Sequence, residues 1–178
     1  MSFADKEKFD VVDENDSVMY CIVGKKALHN LTPGRFHRSS HLFIEIMGAR
    51  FIIQLKSSET ENAGLWSSAV SGHVRASESY KEAIIREANE ELGLVIDPDE
   101  LDVVGTIHPC EETGYEFATL FTYLMDDKTE SIKPNPDEVD EVKILMLDDL
   151  IKHMDDHREQ YSPAFLILME LFLTQYKK

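Results

Sequence analysis

The run from Gly72 to Leu94, GHVRASESYKEAIIREANEELGL, constrains this chain more than any other stretch, because it specifies one short helix together with its start and stop. Ser79 and Glu82 stand three residues apart, the spacing of a capping box in which each side chain satisfies a free backbone N–H. Gly93 is a natural stop, since glycine adopts the left-handed conformation that closes a helix. Between them the pattern predicts a helix of about 13 residues. At about 100° per residue, Glu87, Glu90 and Glu91 share one sector, while Ile84, Ile85, Ala88 and Leu92 occupy an adjoining sector able to dock on a sheet. Carboxylates four residues apart repel by a few tenths of a kcal/mol, a penalty that a cation removes. Hard divalent ions, Mg²⁺ or Mn²⁺, favour such oxygen donors and leave sites for phosphate and water. The competing reading of an acidic run alone is a solvated helix face. Arg86 is expected to point away from the acidic centre, beside the sector of Glu82 and Asn89, and to pair with Glu78 or Glu90 as a positioning residue.

The whole spacing, Gly72, Glu78, Arg86-Glu87, Glu90-Glu91 and Gly93-Leu94, resembles the Nudix box, G-x5-E-x7-R-E-U-x-E-E-x-G-U with U a bulky aliphatic residue. Only Ala88, small for the first U, departs from it. With residue frequencies of roughly 5 to 9%, such a match arises by chance at on the order of 10^-8 per starting point. The resemblance implies an α/β fold, a Nudix-type α/β/α sandwich with a mixed β-sheet, and metal-dependent attack of water on a small-molecule diphosphate. It implies Glu87 and Glu91 as principal metal ligands and Glu90 as a third ligand or the group that deprotonates water. Glu78 and Arg86 would organise loop and helix, Gly72 would permit a close backbone turn, and Glu116 would add a ligand or base.

Composition fits one enzyme-sized domain over residues 1–178. The 178 residues are 43% hydrophobic, enough for a full core. A formal charge of −16 repels a nucleic-acid duplex. Cys21 and Cys110 form no metal-spaced pair and no disulfide framework, as in a reducing compartment. The N-terminal MSFADKEKFD lacks an apolar signal core, and no apolar run approaches the roughly 18 residues of a membrane span, so no membrane partner and a cytoplasmic location are expected.

Short β-rich runs at 8–13, 18–24, 41–47, 51–56, 66–71, 101–107, 116–125 and 141–146 read as strands, with a hairpin around Gly48. The segment DDKTESIKPNPDE between the last two reads as a loop. A short helix is expected near 148–155. A final one starts at Ser162-Pro163, an N-cap followed by proline at the first helical position, with Phe165, Leu168, Met169, Phe172 and Tyr176 at core-packing spacing.

The flanking segments, FDVVDENDSV, KKALHNLTPGRFHRSSHLFI, LWSSAVSGHV and YSPAF, resemble the isopentenyl-diphosphate-isomerase-like branch of Nudix proteins. In true isomerases, histidines corresponding to His29, His37 and His73 help hold a metal together with glutamates after the box. Here Glu116 matches one of those glutamates, Gly114 stands at the other, and Ser71 stands where the isomerase has its catalytic cysteine. Isomerisation needs an acid and a base across an allyl unit, and a serine hydroxyl is far harder to ionise than a thiol. The balance favours a hydrolase on an isomerase-like frame over a genuine isomerase or a binding module with a vestigial box. A homodimer is compatible with the resemblance. Further candidates each have a plainer reading beside them. His41 is weighed for the histidine cluster, and His37-Arg38 as structural or as a phosphate contact. Lys56 is weighed as a phosphate contact against solvent exposure, Trp66 as core against substrate stacking, and Glu138 and Glu141 as an extra base or ligand against an acidic loop edge.

Overall fold

The computed structural model describes residues 6–176 apart from 29, 59, 61 and 128. Strands β1 (Lys8–Val12) and β2 (Val18–Val23) form a separate antiparallel pair, followed by a four-residue helix α1 (Lys25–Leu28). The main sheet contains β3 (His37–Ile46), β4 (Arg50–Lys56), β5 (Trp66–Ser68), β6 (Val70–His73), β7 (Leu101–Ile107), β8 (Glu116–Met125) and β9 (Val139–Met146). Helices α2 (Tyr80–Leu92), α3 (Leu147–Asp156) and α4 (Pro163–Tyr176) complete the chain. The sheet is mixed, because β3 runs parallel to β8 whereas β4, β6, β7 and β9 join by antiparallel pairing.

Alternation along β3 and β4 sends side chains into two cores. Leu42, Ile44, Ile46 and Ile52 meet Ile84, Ala88 and Leu92 of α2 on one face. Phe43, Phe51 and Ile53 meet Phe165, Leu168, Met169 and Phe172 of α4 on the other, with Leu150 and Met154 of α3. This is the α/β/α sandwich the sequence predicts. Trp66 belongs to the α4 core, only 7% exposed, with the Lys143 ammonium over its ring. It is not a substrate platform.

Two differences from the sequence reading bear on the site, and both come from strand pairing between distant segments. β3 starts at His37, four residues earlier than the β pattern suggests, since its whole length is paired to β8, His37 opposite Glu116. Residues 66–71, expected as one strand, divide at Ala69. The β3–β4 hairpin turns through Gly48 and Ala49, both at positive φ, then splays. β5 stays on β4 through Ile53–Leu55, and β6 crosses to β3 through Ser39–Leu42. The far edges of β4 and β3 are already taken by β9 and β8, so the segment is wedged into the gap. That wedge delivers Ser71, Gly72 and His73 beside the C-terminal half of α2, against Glu91, Glu87 and Arg86.

Helix α2 ends as its sequence specifies. The Ser79 side chain accepts from the Glu82 N–H, the Glu82 carboxylate accepts from the Ser79 N–H, and Gly93 closes the helix at φ 66. Ser79→Ala removes one half of the reciprocal cap and is expected to lower unfolding free energy by about 1 kcal/mol, read from urea denaturation at unchanged slope.

Candidate active site

The acidic residues of α2 separate into two groups. Glu87 and Glu91 lie one turn apart on the side facing the sheet, 8% and 1% exposed. Glu90 stands a quarter-turn away and pairs with Arg86 at 3.1 Å and with Arg75 at 3.4 Å. The shared sector expected for the three carboxylates is thus divided, and Glu90 is not in the metal-capable group. Its place is taken by Glu138, on the loop before β9: carboxylate oxygens of Glu87, Glu91 and Glu138 lie within 4.8 Å of one another. Glu138 closes with them because its loop is pinned to the helix end and to the end of β4. The Asn135 N–H donates to the Glu91 carbonyl, and the Ser57 N–H to the Glu138 carbonyl. Glu141 is half exposed and pairs with Lys143 instead.

Arg86 does not point away from the acidic centre. Its guanidinium donates to both oxygens of Glu78 at 2.7 and 2.9 Å, to Glu87 at 2.6 Å, to Glu90 at 3.1 Å and to the His73 carbonyl at 3.1 Å. The planar fork permits this many-sided contact, which spacing alone did not reveal. Glu78, also bonded by the Arg75 N–H, is held below the usual carboxylate range by Arg86 against the opposing effect of burial.

Glu91 is satisfied by a different set. Lys56 donates to one carboxylate oxygen at 2.5 Å, and Gln54 and the Ser71 N–H donate to the other at 2.9 and 3.1 Å. Lys56 is therefore neither solvent-exposed nor a free phosphate contact; it is 6% exposed and tied to Glu91. The pairing crosses from β4 to α2, a contact between residues 35 apart that no local pattern signals.

Gly72 is required by space. Its φ is not positive, and a Cβ built there would stand 2.1 Å from Oε1 of Glu87, so the residue admits the carboxylate rather than a turn. Gly114, by contrast, sits at φ 66 with open space around a Cβ.

The histidines divide as well. His37 and His73 face one another with ring centroids 5.1 Å apart, and Glu116 lies 3.3 Å from the first and 3.7 Å from the second. The three form a second group with metal-ligand spacing. His41 is outside it, between the Ser39 and Ser68 hydroxyls at 3.3 Å each, and burial pushes its pKa down to about 3, keeping it neutral. His29 lies outside the described residues. Arg38 is engaged by Asp16 and lies over Tyr80. A cleft of about 290 Å³ brings Glu87, Glu91 and Glu138 together with His73, Glu116 and Lys56 on one wall system, so both groups address the same space.

The chain matches the NUDIX domain over residues 36–165, and it belongs to that family. Its relatives include an isopentenyl-diphosphate Delta-isomerase of Photorhabdus laumondii subsp. laumondii, 28% identical over 162 residues that cover 89% of this chain and 90% of that protein. An uncharacterized Nudix hydrolase of Clostridium acetobutylicum is 24% identical over 176 residues, 93% of this chain and 83% of that one. Among solved structures, a Deinococcus radiodurans protein superposes with a TM-score of 0.69 at 23% identity, covering 84% of this chain and 90% of that one. The NUDIX domain of Shewanella oneidensis NrtR, complexed with ADP ribose, gives 0.63 at 16% identity, covering 87% and 99%. These structural likenesses show the fold.

Burial, reinforced by Glu91 and Glu90 and opposed by Arg86, raises the Glu87 carboxyl from its ordinary 4.5 to about 7. A carboxyl with a raised folded pKa holds its proton more tightly when folded, so between those two values the folded state binds more protons and stability falls as pH rises. In chelator, Glu87→Gln is expected to gain melting temperature relative to the native protein as pH climbs through the interval from 4.5 to 7. A constant difference between the two across that interval would contradict the assignment.

Proposed function

We propose that this protein hydrolyses the diphosphate linkage of a small organic diphosphate with Mg²⁺ or Mn²⁺. The observation that carries the reading is the group of buried Glu87 and Glu91 with half-buried Glu138, opening on the cleft. Lys56 offsets Glu91 alone, and Arg86 divides its charge among Glu87, Glu78 and Glu90, so the three carboxylates keep an excess of negative charge, and their all-oxygen donor set suits a hard divalent ion. Such an ion would screen phosphate charge and acidify water. Lys56, Gln54 and the Ser71 N–H hold the Glu91 carboxylate in one orientation, and Arg86 holds Glu87 over Gly72. Glu138, whose proton affinity is raised by burial and by Glu91, is the residue assigned to take a proton from water. Glu90, committed to Arg75 and Arg86, serves position rather than ligation. Electrostatic preorganisation of this type is the largest single contributor in many enzymes.

The grouping of His37, His73 and Glu116 favours a second reading, an isopentenyl-diphosphate isomerase. Ser71 and Gly114 oppose it, the first lacking a readily ionised proton donor and the second lacking an oxygen ligand. Incubation with isopentenyl diphosphate and metal is expected to yield no dimethylallyl diphosphate. Turnover of about 1 per second or faster, abolished by Glu116→Gln, would establish the isomerase instead.

A panel of nucleoside diphosphate derivatives, dinucleotides, coenzymes and isoprenoid diphosphates, assayed for release of phosphate and monophosphate, tests the hydrolase. On the substrate so found, Glu87→Gln and Glu91→Gln should each lower kcat by at least about 10²-fold, the scale of losing a major electrostatic contributor. Glu82→Gln, confined to the helix cap, should leave turnover nearly intact. Near-native turnover of both Glu87→Gln and Glu91→Gln rules the site out.

A further inference from the structure

The cleft of about 290 Å³ is polar on nearly every side. Besides its carboxylates it is lined by Ser39, Thr60, Asn62, Ser67 and Ser162, and among the described residues no Leu, Ile, Val, Met, Phe, Tyr or Trp lines it. The rings that adjoin these positions in sequence turn away: Trp66, Tyr161 and Phe165 are packed in the α4 core. Its two imidazoles are engaged, His41 between Ser39 and Ser68, His73 against Phe9, His37 and Glu116. Small-molecule pockets are ordinarily walled by apolar and aromatic side chains and run from about 300 to 1,000 Å³. This one is at the compact end. It offers a nucleobase no open aromatic face on which to stack, and a prenyl tail no apolar wall that takes it out of water.

Ser39, Ser67 and Ser162 line the cleft while only 4%, 3% and 1% exposed. Each hydroxyl has one proton to donate and two lone pairs, and contacts within the chain do not use them up. Ser162 donates to Ser67 at 3.3 Å and accepts from the Phe165 N–H at 3.3 Å, so the Ser67 proton is left for another acceptor. Ser39 lies 3.3 Å from Nε2 of His41, whose Nδ1 meets Ser68 at 3.3 Å. Because His41 is neutral, one of its nitrogens donates and the other accepts. Ser39 therefore shows a ligand either its proton or its lone pairs, as the tautomer allows. A ligand that both donates and accepts meets this capacity, and an apolar one leaves it unmet.

We propose, resting on the hydrolase reading, that the substrate is a compact hydroxylated diphosphate, a sugar or polyol whose hydroxyls bond Ser39, Ser67 and Ser162 while its diphosphate is cleaved at the group of Glu87, Glu91 and Glu138. The water oxygen bonds to one phosphorus, the bond from that phosphorus to the bridging oxygen breaks with its electron pair kept by the oxygen, and a water proton passes to Glu138. The products are inorganic phosphate and the sugar or polyol monophosphate.

Phosphate release by the full chain with Mg²⁺ is measured on glucose 1-diphosphate and glycerol 1-diphosphate. ADP, isopentenyl diphosphate and propyl diphosphate are the contrasts, the last being glycerol 1-diphosphate without its hydroxyls. The two hydroxylated compounds are expected to exceed the other three in kcat/KM by at least about 10²-fold, as when a site built for hydroxyls meets ligands that lack them. Ser39→Ala and Ser67→Ala should each raise KM for glycerol 1-diphosphate by about fivefold, the scale of one hydrogen bond, and leave propyl diphosphate unchanged. Preference for ADP or isopentenyl diphosphate, or equal rates on propyl and glycerol diphosphates, overturns the substrate class and leaves the hydrolase standing. A preference for hydroxylated compounds that neither serine variant reduces overturns the binding role of these serines. Turnover of none of the five overturns the proposal as well, and the hydrolase reading falls with it when the wider panel is also inert.

Discussion

The site depends on one guanidinium. Arg86 joins the loop residue Glu78, the strand carbonyl of His73 and two glutamates of its own helix, so that loop, strand and helix share a single hub. A delocalised cation with five donors in a fixed plane can do this and an ammonium cannot. Removing one member of a buried charged set leaves its partners uncompensated, at about 3–5 kcal/mol. For the same reason, acidic residues that repel one another in an isolated helix are tolerated here: Arg86 takes part of the charge of Glu87 and Glu90, and Lys56 takes that of Glu91.

The two cations partition three acidic side chains into different jobs. Glu91, with both oxygens engaged by Lys56, Gln54 and the Ser71 N–H, is the most fixed. Glu87 packs over the space left by Gly72, and burial raises its proton affinity. Glu90 faces outward between two arginines. The wedge of β5 and β6 between β3 and β4 gives this partition its geometry, because it carries Ser71, Gly72 and His73 against α2 and brings His73 within reach of Glu116 on β8.

Helix α2 was legible to the residue at its start and end, since its cap and stop are local chemistry among Ser79, Glu82 and Gly93. The two-layer core was legible too, because alternation along a strand and a 3.6-residue repeat along a helix are written in neighbouring positions. The start of β3 at His37 was not, since parallel pairing with β8 joins segments some eighty residues apart and leaves no local trace. The break at Ala69 came from the divergence of β3 and β4, a property of the sheet rather than of the segment.

The sequence by itself determined the box, the capped helix and the candidacy of Glu87 and Glu91, which rest on spacing along the chain, and through the family resemblance it implied the sandwich and the candidacy of Glu116. Only the tertiary structure decided that Glu138 and not Glu90 completes the carboxylate group, that Lys56 is buried against Glu91, and that His37 joins His73 while His41 does not. The physical reason is the same in each case. Helical spacing places Glu90 to within a sector of roughly 100°, but which cation claims it depends on Arg75 and Arg86, positioned by a loop and a helix together. Glu138 reaches its partners because the loop before β9 is hydrogen-bonded to the end of α2 and to the end of β4, long-range contacts that no periodicity encodes.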